Sequence, residues 1–219
     1  MINFKKVKSE LNSRIAEILS LYGFCPSEKD GDLERKIDRF IDTFYFLFTD
    51  YGKRIFVEPW WGMRMTGIVD IYHEITEKDE EYFSSTNVLG NNLATLMAYM
   101  ESGEERLNVV RKQYLIEKEK DIETTIMEVS VSVKKYLLPY FEMNHSIDRI
   151  DLLLNSNPRD LIVHSWVYPN RAMMGLIAAK LNNRPDYEKL KGIYDEELVD
   201  AEDQSKREYE KLKVLLSKL

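Results

Sequence analysis

Apolar residues recur at steps of three and four along the first twenty residues. This spacing places them on one stripe of a helix. The members of the stripe are Phe4, Val7, Leu11, Ile15, Ile18 and Tyr22. Gly23 supplies a C-terminal stop and Pro26 prevents a restart nearby. The pattern therefore predicts an N-terminal amphipathic helix.

From about residue 33 the period changes toward two, and aromatic and β-branched residues become frequent. Residues 43–49 are apolar on both faces of the pleat, which is typical of a central strand. Gly52 lies in a predicted turn, and residues 54–58 form the return strand of a hairpin. We expect that strand to stop at Pro59.

Residues 68–75 fit a helix and a strand about equally well. The neighbouring strands favour a third strand here. The polar segment 76–87, rich in Glu and Ser, is predicted to be a loop.

The second half of the chain has mainly helical spacing. Predicted helices cover residues 89–100, 122–140, 147–154, 170–181 and 187–219, and one more strand falls within 107–116. Gly103 closes the first of these helices, the second ends around Pro139, and Ser146 caps the third. Pro185 lies near the first turn of the last helix.

Strands gathered in the first half and helices in the second indicate an α+β fold. The predicted order is an N-terminal helix, a small, mainly antiparallel sheet and a helical C-terminal half. A length of 219 residues favours one domain, residues 1–219, although a separate helical lobe from about residue 104 is an alternative.

The charge balance is acidic, with 38 acidic against 31 basic side chains and a net charge of −7. Such a chain repels polyanions at long range, which disfavours nucleic acid and acidic membranes as partners. The same charge attracts a basic protein.

Several features of the sequence favour a cytoplasmic location and no membrane partner. The first eight residues lack the apolar core of a signal peptide. The densest apolar run, residues 44–48, is much shorter than the roughly 20 residues that span a bilayer. Cys25 is the one cysteine, so no disulfide can form within the chain.

The sequence predicts no metal site and no cofactor. The histidines are His73, His145 and His164, and none has a second His or Cys at ligand spacing. The serine-hydrolase elbow, the zincin motif and the phosphate-binding glycine loop are absent. An enzyme would need a site assembled from scattered residues, with Glu58, Asp70, His73 and His164 as candidates.

Two adjacent tryptophans, Trp60 and Trp61, form the most distinctive segment. Both cannot face inward on a regular strand, and Trp and Arg are enriched at binding hot spots. We therefore predict a binding site made of Glu58, Trp60, Trp61 and Arg64. The alternative is that both rings pack over the sheet edge.

The last predicted helix carries two further candidate surfaces. Its acidic run, which could dock a cationic partner or form a solvated face, comprises Asp195, Glu196, Glu197, Asp200, Glu202 and Asp203. Its apolar stripe weakens in the middle, so the end of the helix could form a homodimer seam of Leu212, Leu216 and Leu219.

The order of features resembles a class of small bacterial α+β proteins, some of which are similar to immunity proteins encoded beside secreted toxins. The matching segments are Leu21-Tyr22-Gly23-Phe24, the strand pair in residues 44–58, Leu137-Leu138-Pro139-Tyr140-Phe141 and residues 178–186. The resemblance implies a non-enzymatic binding role and, for an acidic chain, a basic nuclease-type toxin as partner. Trp60-Trp61 has no counterpart in that pattern.

The leading hypothesis is thus a cytoplasmic, non-enzymatic module that binds another protein through aromatic and acidic surface. Two alternatives remain open: the enzyme with a scattered site, and a small-molecule sensor with a closed aromatic pocket.

Overall fold

The computed structural model describes residues 3–27, 31–106, 108–165 and 167–219. Within these ranges it confirms the α+β fold: an N-terminal helix, an antiparallel sheet of six strands and a helical C-terminal half. The chain forms two compact units. Unit 1 comprises Met1–Met63, Gly90–Glu104 and Asn108–Glu142; unit 2 comprises Arg64–Leu89, Glu105–Leu107 and Met143–Leu219. The units interleave along the chain, so no single cut near residue 104 separates them.

The sheet belongs to unit 1 except for the last two residues of one strand and the first of another. Its strands are β1 (Cys25–Pro26), β2 (Leu33–Ile37), β3 (Phe40–Asp50), β4 (Ile55–Met65), β5 (Leu89–Asn92) and β6 (Tyr114–Ile116). They lie in the order β1-β2-β3-β4-β5, and β6 pairs with β4. The register sets Arg35 opposite Asp42 and Phe56 opposite Leu115.

The predicted hairpin is formed by β3 and β4. At its turn the Tyr51 amide donates to the Arg54 carbonyl over 2.9 Å, and Gly52 has a φ of 77°. The expected stop at Pro59 is wrong, because β4 continues to Met65. Pro59 lies beyond Val57, the last β4 residue paired with β6. A proline is tolerated in a strand where the ladder needs no N–H from it.

The N-terminal helix, α1 (Phe4–Ser20), covers the sheet of unit 1. Asn3 caps it by accepting a hydrogen bond from the Lys6 amide. Its buried stripe is Val7, Leu11, Ile15 and Leu19. Gly23 follows with a φ of 85°, a left-handed conformation that glycine adopts without steric cost.

Three more helices complete unit 1: α3 (Leu93–Ser102), α4 (Glu119–Ser132) and α5 (Leu138–Asn144). Gly103 closes α3 as predicted, with a φ of 73°, although the first residues of that predicted helix form β5.

For the predicted helix of residues 122–140, the expected end near Pro139 is wrong. A π-helical turn, Val133–Leu137, precedes α5 and widens the backbone where proline lacks a donor.

The strand predicted within residues 107–116 is shorter than expected. Only Tyr114–Ile116 pairs as β6, and residues 108–113 form no regular element. Leu107 lies outside the described residues.

Unit 2 is helical apart from short bridges and the ends of β4 and β5. Its helices are α2 (Thr66–Ile75), a 3₁₀ helix (Glu80–Ser85), α6 (Ile147–Asn155), α7 (Tyr168–Leu181), α8 (Tyr187–Glu197) and α9 (Asp203–Leu216). Ser146 caps α6 as predicted.

The strand favoured for residues 68–75 is wrong, because that segment is α2. Its buried residues Ile68, Val69, Tyr72 and Ile75 have helical spacing and face α7 and α9.

The single long helix predicted over residues 187–219 is also wrong, because the chain turns between α8 and α9. In one straight helix, Asp195 and Lys213 would be about 27 Å apart at 1.5 Å per residue. Instead, the Lys213 ammonium pairs with Asp195 over 3.0 Å. The polar middle of the apolar stripe offers no buried surface to keep the helix straight.

Most of the predicted dimer seam is buried inside unit 2. Leu212 and Leu216 are 0% and 1% exposed, and α9 packs on α2 and α7. Glu208 on α9 accepts hydrogen bonds from the Glu77 amide and the Thr76 hydroxyl at the end of α2. A dimer through this helix would have only exposed residues such as Leu219 to use.

A buried ion pair lies in the aromatic core of unit 1. The Arg35 guanidinium donates twice to one oxygen of Asp42, at 2.8 and 2.9 Å, and Asp42 is fully buried. The Arg35 guanidinium also lies 5.2 Å from the ring centroid of Phe24 and 5.8 Å from that of Phe141. Removing one partner of such a pair leaves an uncompensated charge in the core.

We therefore predict that Asp42→Ala lowers the free energy of unfolding by about 3–5 kcal/mol, because Arg35 would remain buried without its carboxylate. Urea denaturation followed by circular dichroism measures this change. Glu119→Ala, which removes an exposed partner of Lys6, is the control and should change the midpoint little. Equal shifts in the two variants would contradict the assignment of Asp42 as a core determinant.

Candidate functional site

Successive side chains of β4 point to opposite faces of the sheet. Ile55, Val57, Trp61 and Met63 are at most 1% exposed and form part of the core. Phe56, Glu58 and Trp60 point to the other side, which we call the outer face. On β3 the same alternation assigns Thr43, Tyr45 and Leu47 to the outer face, because Asp42, Phe44 and Phe46 are in the core.

Trp61 is a core residue. Its ring makes edge contacts with Tyr140, at a centroid distance of 4.9 Å, and with Phe141, at 6.0 Å. Only 1% of Trp61 is exposed. Trp61, which the sequence analysis assigned to a binding site, therefore packs in the core and holds α5 against the sheet.

The outer face presents apolar side chains to solvent. Leu47 on β3 is 46% exposed, and Leu115, which lies opposite Phe56, is 40% exposed. Tyr51 is 69% exposed and packs edge-on against Phe56 at 5.7 Å. A shallow cleft of about 440 Å³ opens here, lined by Thr49, Tyr51, Arg54, Phe56 and Gln113.

Three polar side chains on the outer face have buried atoms that make no hydrogen bond with the described residues. These atoms are the Thr43 hydroxyl oxygen, Glu58 Oε1 and Trp60 Nε1. Glu58 is 6% exposed, and its other carboxylate oxygen, Oε2, is not among these atoms. An unsatisfied buried polar atom costs about 1–3 kcal/mol, and more when charged. Trp61 Nε1, on the core face of the same strand, is likewise buried without such a bond.

Arg64 is buried at the end of β4 and makes a hydrogen bond within unit 2. Its Nη1 donates to the Ser84 carbonyl over 2.5 Å, which anchors the 3₁₀ helix. Of the four residues predicted to bind, Glu58 and Trp60 thus share the outer face, while Trp61 and Arg64 have structural contacts. The period-two pattern of residues 43–49 could have added Leu47 and Thr43. Leu115 depends on the pairing of β6, for which the sequence carries no signal.

The residues proposed for a scattered catalytic site have different surroundings. Asp70 and His73 share α2, and the His73 ring stacks on Phe83 at a centroid distance of 4.0 Å. Burial lowers the pKa of His73, while the nearby charge of Asp70 acts to raise it. Throughout the described ranges, no group of three or more His, Cys, Asp or Glu residues is arranged to hold a metal ion.

His164 is fully buried in unit 2. Burial and, to a smaller extent, the positive charge of Arg149 together lower its pKa to about 3. A general base works best with a pKa near the operating pH, so His164 is poorly suited to acid–base chemistry at neutral pH.

Three of the clefts formed by described residues lie within single units, and Glu58, Asp70, His73 and His164 line none of these three. The one on the outer face is described above. A second, of about 780 Å³, lies between α1 and the segment around Pro26 and Leu33. A third, of about 540 Å³, lies beside Lys180 and Tyr187. All three are open, whereas a small-molecule sensor would need a closed cavity.

Half of the predicted acidic run is neutralised within unit 2. Asp195 pairs with Lys213, and the Arg159 guanidinium bridges Glu196 and Glu197. The acidic residues beyond α8, which are Asp200, Glu202 and Asp203, are exposed.

A buried polar cluster joins three helices of unit 2. The Asn155 amide donates to Asp151 over 2.7 Å and to the Gly175 carbonyl over 2.9 Å. The Tyr194 hydroxyl donates to Asn155 over 2.6 Å, and Arg184 pairs with Asp151 over 3.0 Å. These groups form hydrogen bonds with one another. The cluster therefore fixes how α6, α7 and α8 pack.

Comparison with known proteins adds no relative, since no family model, curated protein or solved structure matches the chain. None of the helices in the described ranges is long and apolar enough to cross a membrane.

Gly175→Ala tests the polar cluster of unit 2. A methyl group at this position would lie 2.4 Å from the Asn155 side-chain oxygen. We expect the variant to lose about 1–3 kcal/mol of unfolding free energy through overpacking, measured by urea denaturation. Gly192→Ala is the matched control, because nothing lies within 4 Å of its added carbon. It should gain about 0.4–1 kcal/mol, and a comparable loss in both variants would contradict the role of the cluster.

His164 should stay neutral in the folded protein down to about pH 4, because its pKa is near 3. Its imidazole nitrogen resonances should therefore not change between pH 8 and pH 5. The unfolded chain takes up this proton near pH 6.5, so acid favours unfolding between about pH 6.5 and pH 3. His164→Gln should flatten that decline by up to about 1.4 kcal/mol per pH unit. A midpoint near pH 6.5 in the folded protein would contradict the burial of this ring.

Proposed function

We propose that this chain is a non-enzymatic module that binds a basic protein through the outer face of unit 1. The single observation that carries the proposal is the group of exposed apolar side chains, Leu47, Tyr51 and Leu115, at one end of the outer face.

The apolar part of the outer face supplies contact area. Isolated exposed hydrophobic residues are normal on protein surfaces, but clustered ones mark interaction sites. Leu47, Tyr51 and Leu115 are all exposed at β3, the hairpin turn and β6. Trp60 lies on the same face of β4 as Phe56, and Trp and Tyr dominate the energetics of many interfaces.

The charge of the chain supports a basic partner. A net charge of −7 attracts a cationic protein at long range and raises its rate of association. Asp200, Glu202 and Asp203 add to this field at the exposed turn between α8 and α9.

An immunity-type role agrees with these features. Such a protein needs an acidic binding surface and no catalytic residue. We accordingly propose a basic toxin of the nuclease type as the partner, with the complex forming in the cytoplasm. In this proposal the outer face, not the paired tryptophans as a unit, makes the contact.

Affinity capture from the native cell lysate tests this function. The wild-type chain should retain one stoichiometric basic protein. The double variant Leu47→Asp/Leu115→Asp should lose it, because two carboxylates on the outer face repel apolar contact. The partner is identified by mass spectrometry, and its affinity for each variant is measured by calorimetry.

The control variant is Met127→Asp, on an exposed position of α4 that is 62% accessible. It should bind like the wild type. Retention of the partner by the double variant, or capture of no protein while circular dichroism shows an intact fold, would refute the proposal.

A further inference from the structure

We propose that the cleft on the outer face is an anchor pocket for one aromatic side chain, a phenylalanine or a tyrosine, of the bound partner. This inference rests on the proposed function, because it names the chemistry of the contact that the partner makes at that same face. The cleft has a volume of about 440 Å³, and its lining residues are Thr49, Tyr51, Arg54, Phe56 and Gln113.

The cleft adjoins the exposed apolar side chains of the outer face. Tyr51 belongs to both the cleft and that apolar group. Leu115 lies opposite Phe56 in the pairing of β6 with β4, and Leu47 lies two residues before Thr49 on the same face of β3. A partner that covers Leu47 and Leu115 therefore also covers the cleft. Binding hot spots have this arrangement, in which an anchor in a pocket is surrounded by contacts that exclude water.

The walls of the cleft favour an aromatic occupant. The Tyr51 ring packs edge-on against Phe56, with a centroid distance of 5.7 Å and an interplanar angle of 86°. Aromatic rings attract one another in edge-to-face and offset-stacked contacts, so a third ring gains from packing against this pair. The Arg54 guanidinium, which also lines the cleft, is a planar cation that attracts the face of a ring.

Charge disfavours a charged occupant of either sign. None of the described residues that line the cleft is acidic, so a lysine or arginine side chain would meet the positive charge of Arg54 without a carboxylate to balance it. A carboxylate would compete with Glu117, whose Oε1 already accepts a hydrogen bond from Arg54 Nε over 2.8 Å. A hydrogen bond to a guanidinium N–H lies in the guanidinium plane, and stacking uses its faces, so this ion pair is compatible with a stacked ring.

The size of the cleft fits one ring that is attached to a larger molecule. A cavity of about 150 Å³ holds benzene, so the cleft admits a single aromatic side chain. Tyr51, which forms one wall, is 69% exposed, so the cleft covers only part of the ring that enters it. Sites for free small molecules bury most of the ligand surface. The partner protein to which the ring belongs would supply the remaining cover.

The test uses the full chain and four small probes. The Thr49 methyl and Gln113 side-chain amide resonances are followed by NMR during titration with p-cresol, which reproduces the tyrosine side chain. Its size-matched non-aromatic counterpart is 4-methylcyclohexanol, and the charged probes are n-butylammonium and propionate. We expect p-cresol to shift both resonances saturably, with a dissociation constant on the order of 1–10 mM. It should bind about threefold or more tighter than 4-methylcyclohexanol, and tighter than either charged probe.

Two tyrosine variants locate the binding of p-cresol. Tyr51→Ser removes one wall of the cleft and should weaken binding about fivefold or more, with the circular dichroism spectrum unchanged because the side chain is exposed. Tyr82→Ser is the matched control, since Tyr82 is 52% exposed on the 3₁₀ helix of unit 2. It should bind p-cresol like the wild type. The inference is overturned by the absence of a saturable shift, by less than threefold preference over 4-methylcyclohexanol, by tighter binding of a charged probe, or by an unchanged response in Tyr51→Ser.

The affinity of the captured partner separates this inference from the proposed function. Tyr51→Ser should lower that affinity about tenfold or more, and Tyr82→Ser should leave it unchanged. Wild-type affinity in Tyr51→Ser, together with loss of binding in Leu47→Asp/Leu115→Asp, would refute the anchor pocket and leave the outer face as the binding surface. Retention of the partner by the double variant would refute the proposed function, and the p-cresol titration would still decide whether the cleft accepts a ring.

Discussion

The pleat of β4 is the constraint on which unit 1 depends. Because neighbouring side chains on a strand point in opposite directions, one segment of sequence fills the core and builds the outer face. Trp61 packs against Tyr140 and Phe141, whereas Trp60 lies beside Glu58 on the other side. A shift of one residue in the pairing would exchange the two sets and expose the core. The location of the candidate site is thus a consequence of how the core is filled.

Buried carboxylates on the two faces of the sheet have different surroundings. On the core side, Asp42 is matched by Arg35, whose guanidinium lies near two aromatic rings. On the outer side, Glu58 is 6% exposed, and its Oε1 accepts no hydrogen bond from the described residues. A matched pair can be neutral or better for stability, whereas an unmatched buried carboxylate is a cost. Within this sheet, stability is therefore assigned to the core pair, and binding by the outer face remains our proposal.

Unit 2 uses its polar groups internally. Asp151, Asn155 and Tyr194 satisfy one another between helices, and Glu208 on α9 closes the end of α2. Much of the acidic run on α8 is paired with Arg159 and Lys213. Charged residues that look like a docking surface in the sequence are therefore partly engaged in ion pairs within the unit.

The sequence by itself determined what local chemistry controls. It determined the N-terminal helix and its glycine stop, the hairpin at Gly52, the serine cap of α6, the end of α3 and the α+β order, because each depends on residues close in the chain. The tertiary structure decided the rest. Residues 68–75 became a helix because α7 and α9 bury a helical stripe, and the last helix broke because its second half, α9, packs on α2 and α7. Strand alternation already predicts that Trp60 and Trp61 lie on opposite faces of the sheet. Which of the two faced the core, and whether Glu58 found a partner, depended on packing between segments distant in sequence.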